Sequence, residues 1–243
     1  MSGELESPGR CDMMEEKDWQ EFYFIAMANT ITAVIWDLDG VILDSAEAHL
    51  KSWYRLAEDL HIPYSDEQFW ATFGWRNDAI IPTLVGPTTP ERIKELADQK
   101  EIYFREFIRE TATPLPGAIE LLSALREAGY RQALASSTPI ANIELISAVL
   151  GLERYLSAFV SGESVPRSKP APDTFLKAAE ELGVAPANSL VIEDAVAGIQ
   201  AARAAGMYCI AVAEERDLPG LRVADLVVKD LTEVNVGRIR QLA

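Results

Sequence analysis

The chain has 243 residues, of which 22 are basic and 38 acidic, giving a formal net charge of −16 at pH 7. This charge argues against nucleic acid or an anionic membrane surface as partner, because phosphate groups would repel the protein. Hydrophobic residues are numerous enough for a sizeable core, but no apolar run is long enough to predict a membrane span. Cys11 and Cys209 lack metal-site spacing, which fits a reducing compartment, so we expect a cytoplasmic protein.

The first 29 residues differ in composition from the rest of the chain. They contain seven acidic and two basic side chains. A short apolar patch at 22–28 follows acidic residues, whereas a signal peptide would have basic residues there. We therefore expect residues 1–29 to form an acidic, mobile tail without an export signal.

An apolar run of β-branched and aromatic residues at 31–36 predicts the first buried strand. The run ends in two carboxylates, Asp37 and Asp39, and the chain then turns at Gly40. Ligands of open α/β sheets bind beyond the carboxyl ends of strands, so these acids stand where chemistry is expected. The alternative is an ordinary strand followed by an Asp-Gly turn.

From this strand to residue 113, the apolar residues recur at helical spacing. Pro90 directly after Thr89 is a typical helix start, and the long amphipathic helix that follows extends to Thr111. We expect residues 45–113 to form an all-helical unit inserted after the first strand. Its other helices are expected to begin near Ser45, to begin after Ser65, and to cover residues 77–85.

Beyond Pro114, apolar strands alternate with helices that end at glycines. This alternation predicts an α/β fold with a parallel sheet covered by helices on both faces. The predicted strands are 131–136, 158–161, 189–193, 207–212 and 226–228, and the predicted helices are 117–128, 140–150, 174–182 and 196–205.

A second pair of acids, Glu193 and Asp194, ends a strand that is apolar throughout. Neighbouring carboxylates are costly to bury without a cation, and oxygen ligands of this kind suit Mg²⁺. Asp37 and Asp39 are also close enough to repel each other, which a divalent cation or a shared proton would relieve. The sequence therefore predicts a Mg²⁺ site at these strand ends.

Two further segments place polar residues beside the predicted site. Ser136 and Ser137 precede a helix N-terminus, which suits a phosphate group but equally an ordinary helix cap. Lys169 lies in a proline-containing loop, where it is either a fixed counter-charge or a solvated side chain. With the carboxylates, these residues supply the nucleophile, acid/base, hydroxyl and positive charge that phosphoryl transfer requires.

These four motifs, in this order and spacing, resemble the haloacid dehalogenase superfamily of phosphohydrolases. Within it the chain is similar to the branch of β-phosphoglucomutases and of sugar-phosphate and phosphoglycolate phosphatases. The resemblance covers roughly residues 31–230. It implies a Rossmann-like core, formed by residues 30–44 and 114–243, with a helical cap domain at 45–113.

The resemblance also implies a role for each motif residue. Asp37 would be the nucleophile that becomes an aspartyl-phosphate, and Asp39 the general acid/base, whose backbone carbonyl would also bind Mg²⁺. Ser136 would bind the phosphate and Lys169 would neutralise it. The implied metal residues are Asp37, Asp39, Glu193 and Asp194.

The cap domain is expected to determine substrate specificity. The loop Gly74-Trp75-Arg76 contains an arginine that could bind a second anionic group of the substrate. Lys100 on the long helix could do the same, and His49 could tune cap closure or the acid/base. The alternatives are that Arg76 and Lys100 are surface charges and that His49 is structural.

We expect a Mg²⁺-dependent phosphatase of a small sugar-phosphate metabolite, acting as a monomer. The first alternative is β-phosphoglucomutase, which the resemblance also suggests: Asp44, Glu47 and His49 match its pattern, whereas the loop at Arg76 is one residue shorter and lacks its serine. The remote alternative is a phosphate-binding module without catalysis.

Overall fold

The computed structural model describes residues 30–73, 75–213 and 220–243. The predicted tail at 1–29 and the predicted substrate-binding Gly74 lie outside these residues. The described chain contains a six-stranded parallel sheet in the order β3-β2-β1-β4-β5-β6. Its strands are β1 (Ala33–Trp36), β2 (Arg131–Ser136), β3 (Ala158–Ser161), β4 (Ser189–Glu193), β5 (Tyr208–Val212) and β6 (Leu226–Val228).

Helices cover both faces of the sheet, as the sequence predicts. In the described residues they are α1 (Ala46–Asp59), α2 (Asp66–Thr72), α3 (Asn77–Val85), α4 (Pro90–Thr111), α5 (Ala118–Glu127), α6 (Ile140–Leu150), α7 (Asp173–Leu182), α8 (Val196–Ala204) and α9 (Val236–Arg240). Short 3-10 helices lie at Leu152–Arg154, Gly162–Ser164, Pro186–Asn188, Leu221–Val223 and Leu231–Glu233. None of the helices in the described ranges is long and apolar enough to cross a membrane.

The alternation of side chains along β1 divides the core into two layers. Val34 and Trp36 pack in one hydrophobic cluster, whereas Ala33 and Ile35 pack in a second cluster on the opposite face. All four residues are buried because helices cover both faces. The predicted α/β fold with a Rossmann-like parallel sheet is confirmed.

The helices α1 to α4 share a further hydrophobic cluster, formed by Trp53, Leu56, Phe69, Ile80, Ile81 and Leu96. Ala48 of α1 and Phe104 and Ile108 of α4 pack in the core cluster that contains Trp36. Local signals delimit these helices. Ser65 and Gln68 form a reciprocal capping box at the start of α2, and Thr89 caps α4 ahead of Pro90. This further cluster supports the division into a cap and a core, whose boundaries remain a prediction.

The observed elements differ from the predicted ones in a few places. Ser45 precedes α1, but its side chain does not cap the helix; the Asp44 carboxylate accepts the bond from the Ala46 amide at 3.0 Å instead. Helix α5 begins after Gly117, which has a φ of +83°. Helix α9 was not predicted, although Asn235 caps it through the Arg238 amide, because the segment is short.

Candidate active site

The register of the sheet brings three strand ends to one edge. Trp36 at the end of β1 pairs with Leu134 of β2 on one side and with Ile192 of β4 on the other. The next residue, Asp37, donates its amide to the Ile192 carbonyl at 3.0 Å. The polar residues that follow β1, β2 and β4 therefore meet at a single crevice.

Gly40 allows the chain to turn back tightly after Asp37 and Asp39. Its φ is +75°, and its amide donates to the Leu43 carbonyl at 2.8 Å. A Cβ at this position would lie 2.0 Å from Asp194 Oδ2. Glycine is thus required twice, for the backbone conformation and for the close approach of Asp194.

Lys169 is a fixed charge and not a solvated side chain. Its Nζ lies 2.5 Å from Asp37 Oδ1 and 2.6 Å from Glu193 Oε1, and the side chain is 8% exposed. Burial alone would lower the pKa of Lys169, but the carboxylates of Asp37 and Glu193 outweigh burial and raise it. The lysine is therefore an ammonium ion held against the predicted nucleophile.

Three carboxylates surround this ammonium. Asp37, Glu193 and Asp194 each offer an oxygen, and these ligand atoms all lie within 4.8 Å of one another. Burial raises the pKa of Asp37 against the opposing effect of Lys169. Burial and the neighbouring Glu193 raise the pKa of Asp194 to about 7. Three negative charges against one positive charge leave the ionised pocket at −2, which a divalent cation would neutralise, so the residues fit Mg²⁺.

The Asp39 carboxylate lies outside this three-carboxylate cluster. Burial raises its pKa, while a hydrogen bond with the Ser45 side chain and the charge of Lys100 oppose the rise. Its Oδ1 has no hydrogen-bond partner among the described residues. A half-buried carboxyl with a raised pKa and a buried, unpartnered Oδ1 suits proton transfer. That the Asp39 backbone carbonyl also binds the metal ion remains a prediction.

Glu193 is held in place by two features that the sequence reading missed. Its Oε2 accepts a hydrogen bond of 2.6 Å from the Ala195 amide. The second feature is Gly198 in α8, where a Cβ would lie 1.7 Å from Glu193 Oε1. A glycine five residues after the acid was the available signal, but its neighbour could not be known without the fold.

The end of β2 agrees with the prediction only in part. Ser136 is buried and its Oγ accepts a bond from the Thr138 amide at 3.2 Å, whereas Ser137 is exposed. One of the α6 N-terminal amides predicted to face the crevice is already partnered, because the Ile140 amide donates to Glu163 Oε2 at 3.1 Å. Of this region, Ser136 and the turn after it remain the candidates for phosphate binding.

On the cap side, Lys100 is buried and not a surface charge, since only 1% of it is exposed. Its Nζ donates to Glu101 Oε1 at 2.9 Å and lies 2.7 Å from His49 Nδ1. Burial and the adjacent Lys100 hold the pKa of His49 well below its usual value, so the imidazole is neutral and accepts this bond. The charge of Asp39 acts to raise the pKa of Lys100 against the larger effect of burial, so the two side chains interact electrostatically.

The predicted specificity loop contacts the core through Arg76. The Arg76 guanidinium donates to Ser168 Oγ at 3.1 Å and pairs with Asp78, although 71% of the side chain is exposed. Ser168 directly precedes Lys169, so Arg76 lies at the mouth of the crevice. Trp75 is 56% exposed in the same loop.

A family model described as haloacid dehalogenase-like hydrolase matches residues 31–206. A β-phosphoglucomutase from Bacillus subtilis is 33% identical over 84% of this chain and 92% of its own length. A fructose-1-phosphate phosphatase from Escherichia coli is 35% identical over 76% of this chain and 98% of its own. The crystal structure of a Clostridium difficile β-phosphoglucomutase covers 88% of this chain and 97% of its own with a TM-score of 0.77, at 27% identity.

The parallel α/β fold and the carboxylate-lysine crevice define a hydrolase of the phosphohydrolase type. The chain belongs to the haloacid dehalogenase-like hydrolase family. The predicted family, its β-phosphoglucomutase-like branch and the hydrolase class are confirmed.

Proposed function

We propose that the protein is a Mg²⁺-dependent phosphatase of a small phosphorylated sugar, with Asp37 as the nucleophile. The observation that carries this proposal is the buried Lys169 ammonium, 2.5 Å from Asp37 Oδ1 and 2.6 Å from Glu193 Oε1. It supports the proposal because a carboxylate beside a fixed positive charge can attack a phosphate group whose negative charge is neutralised. The relatives named as sugar phosphatases support the substrate class.

In the first step an oxygen of Asp37 attacks phosphorus, a new O–P bond forms and the ester P–O bond breaks. Asp39 gives its proton to the departing sugar oxygen, which leaves as an alcohol. The raised pKa of Asp39 fits this role, because the carboxyl must hold a proton until the leaving group needs it. Lys169 and Ser136 orient the phosphoryl group.

In the second step Asp39, now a carboxylate, takes a proton from water, and the water oxygen attacks the aspartyl-phosphate. The bond between phosphorus and Asp37 breaks, inorganic phosphate forms and the Asp37 carboxylate is restored. A Mg²⁺ ion held by Asp37, Glu193, Asp194 and the Asp39 carbonyl would supply further neutralisation of the phosphoryl charge. Cap closure over the crevice would control the entry of water.

The second candidate function is that of a β-phosphoglucomutase. The Lys100–His49 pair, whose lysine interacts electrostatically with Asp39, favours it, because a mutase must hold a second phosphate group and keep water away from the aspartyl-phosphate. The relative of that name in Bacillus subtilis supports it as well.

³¹P NMR separates the two functions. The protein is mixed with Mg²⁺, β-glucose 1-phosphate and a trace of glucose 1,6-bisphosphate. Glucose 6-phosphate without inorganic phosphate identifies a mutase, whereas inorganic phosphate identifies a phosphatase. If neither product appears with this substrate or with fructose 1-phosphate and p-nitrophenyl phosphate, the proposed function is wrong. A cytoplasmic monomer remains our prediction, and size-exclusion chromatography with light scattering tests the oligomeric state.

A further inference from the structure

We propose that Asn142, on core helix α6, is a positioning residue that holds the cap closed through Glu101 and thereby keeps Lys100 where its charge acts on Asp39. This inference rests on the proposed function and deepens it. Asn142 does not touch the crevice carboxylates in any contact described above. Its effect on the reaction is transmitted through the cap helix α4.

Asn142 lies between two charged residues of α4. It is fully buried, its Nδ2 donates to Glu101 Oε2 at 2.6 Å, and its Oδ1 accepts from Arg105 Nη1 at 2.9 Å. Glu101 and Arg105 are four residues apart on one helix and therefore share a face. The orientation of the amide is determined by its partners, because a guanidinium only donates and a carboxylate only accepts.

Glu101 connects this contact to the catalytic side of the cap. While its Oε2 bonds Asn142 of the core, its Oε1 accepts from Asn77 Nδ2 at 2.7 Å and from Lys100 Nζ at 2.9 Å. Although burial acts in the opposite direction, Lys100 and Asn77 hold the pKa of Glu101 at about 2, so the carboxylate is ionised. Asn77 directly follows Arg76, so one carboxylate joins the core, the specificity loop and Lys100.

The energetic reason for a coupling is burial. Glu101 is 7% exposed and Lys100 is 1% exposed, so a charge in either residue that loses its partner is costly. Cap opening must break the bonds of Asn142 to Glu101 and Arg105 together. Lys100 is adjacent to Glu101 in α4, so the two residues move together, and the electrostatic interaction of Lys100 with Asp39 weakens when α4 leaves Asn142.

The test is a pair of substitutions that together move one negative charge from residue 101 to residue 142. In Asn142→Asp, a carboxylate replaces the amide donor and faces the Glu101 carboxylate, so the two repel and the closed state is disfavoured. Adding Glu101→Gln supplies a new donor. The nitrogen of the introduced amide bonds the introduced carboxylate, the amide oxygen still accepts from Asn77 and Lys100, and Arg105 still pairs with position 142. Asn188→Asp is the matched control, because Asn188 lies at the opposite edge of the sheet, just before β4.

Activity is measured with p-nitrophenyl phosphate and Mg²⁺. The leaving group of this substrate departs without a proton. Asp39 is therefore needed only in the second step, in which water attacks the aspartyl-phosphate. We expect Asn142→Asp to lower kcat by about 10- to 100-fold and kcat/KM by much less, because a misplacement of about 1 Å has effects of that size. The double variant should have a higher kcat than Asn142→Asp, although Lys100 keeps only an amide oxygen in place of its carboxylate partner, and Asn188→Asp should match the wild type.

The inference is overturned if Asn142→Asp keeps kcat within about 2-fold of the wild type. It is also overturned if a folded double variant has a kcat no higher than that of Asn142→Asp, or if kcat and kcat/KM fall in equal proportion. A single variant that does not fold leaves the double variant as the test, which must then be folded and active. Failure of the proposed function would give a different result, namely hydrolysis by the wild type that persists when Asp37 is replaced.

Discussion

Gly198 in α8 packs against Glu193 so closely that a Cβ would lie 1.7 Å from Glu193 Oε1 and 2.0 Å from its Cδ. The Glu193 carboxylate cannot move aside freely, because it bonds both the Ala195 amide and the Lys169 ammonium at 2.6 Å. The absence of a side chain at residue 198 therefore determines where a proposed metal ligand stands.

Gly198→Ala tests this relationship. Alanine favours a helix over glycine by about 1 kcal/mol, so helix propensity alone predicts a more stable protein. We expect instead a displaced Glu193 carboxylate and a Mg²⁺ affinity that is lower by about 10- to 100-fold, as for other groups that orient metal ligands. Isothermal titration calorimetry of the chelator-treated protein with Mg²⁺ measures the change. An unchanged affinity together with unchanged turnover would show that the contact has no role in the site.

Asp37→Asn tests the nucleophile. The amide has nearly the same shape but cannot form the acyl-phosphate, so we expect kcat to fall by at least about 1,000-fold while the fold persists. Initial rates with p-nitrophenyl phosphate and a circular dichroism melt provide the measurements. Asp98→Asn, an exposed cap residue paired with Lys94, is the matched control. Substantial activity in Asp37→Asn would assign the nucleophile elsewhere.

The His49 imidazole makes stability depend on pH. Burial and Lys100 hold its pKa well below the ordinary value of 6.5, so below pH 6.5 the unfolded chain binds a proton that the folded protein does not. The contribution of His49 to the free energy of unfolding is therefore fully present above pH 6.5. Below that pH the free energy of unfolding falls by up to about 1.4 kcal/mol per pH unit because of this group.

Urea unfolding of the wild type and of His49→Gln at pH 7.5 and pH 5.5 measures this dependence. We expect the variant to lose less unfolding free energy than the wild type between the two pH values, because glutamine does not titrate. Equal losses in both proteins would mean that His49 binds a proton equally well in the folded and unfolded states.

Arg76 is predicted to recognise a part of the substrate away from the reacting phosphate. Its guanidinium lies at the crevice mouth against Ser168 but touches none of the core carboxylates in the contacts described above. We expect Arg76→Ala to lower kcat/KM for the best sugar phosphate by about 10-fold or more, the value of one charged hydrogen bond, and to leave p-nitrophenyl phosphate nearly unaffected. Arg92→Ala, a partly exposed cap arginine paired with Glu95, is the control. An equal loss on both substrates would place Arg76 outside substrate specificity.

The sequence by itself determined most of the helices and strands and the positions of the core motif residues at the strand ends. The apolar runs that end at Asp37 and at Glu193 are local patterns, because a buried parallel strand must be apolar on both faces and its polar residues can stand only beyond its end. The same locality explains why the strands β2, β3, β4 and β6 have the predicted bounds. Capping residues and proline marked helix starts in the inserted unit, and glycine marked helix ends after Pro114, for a similar reason.

Only the tertiary structure decided which distant residues meet. The sheet order puts β1 between β2 and β4, and this order brings Lys169 and Glu193 to Asp37. Glu101 and Asn142 are 41 residues apart on two amphipathic helices, where a polar side chain in a buried interface has the same local pattern as one on the surface. Their contact depends on how the cap docks on the core. Docking is determined by two surfaces together, whereas the periodicity of one helix describes only one of them.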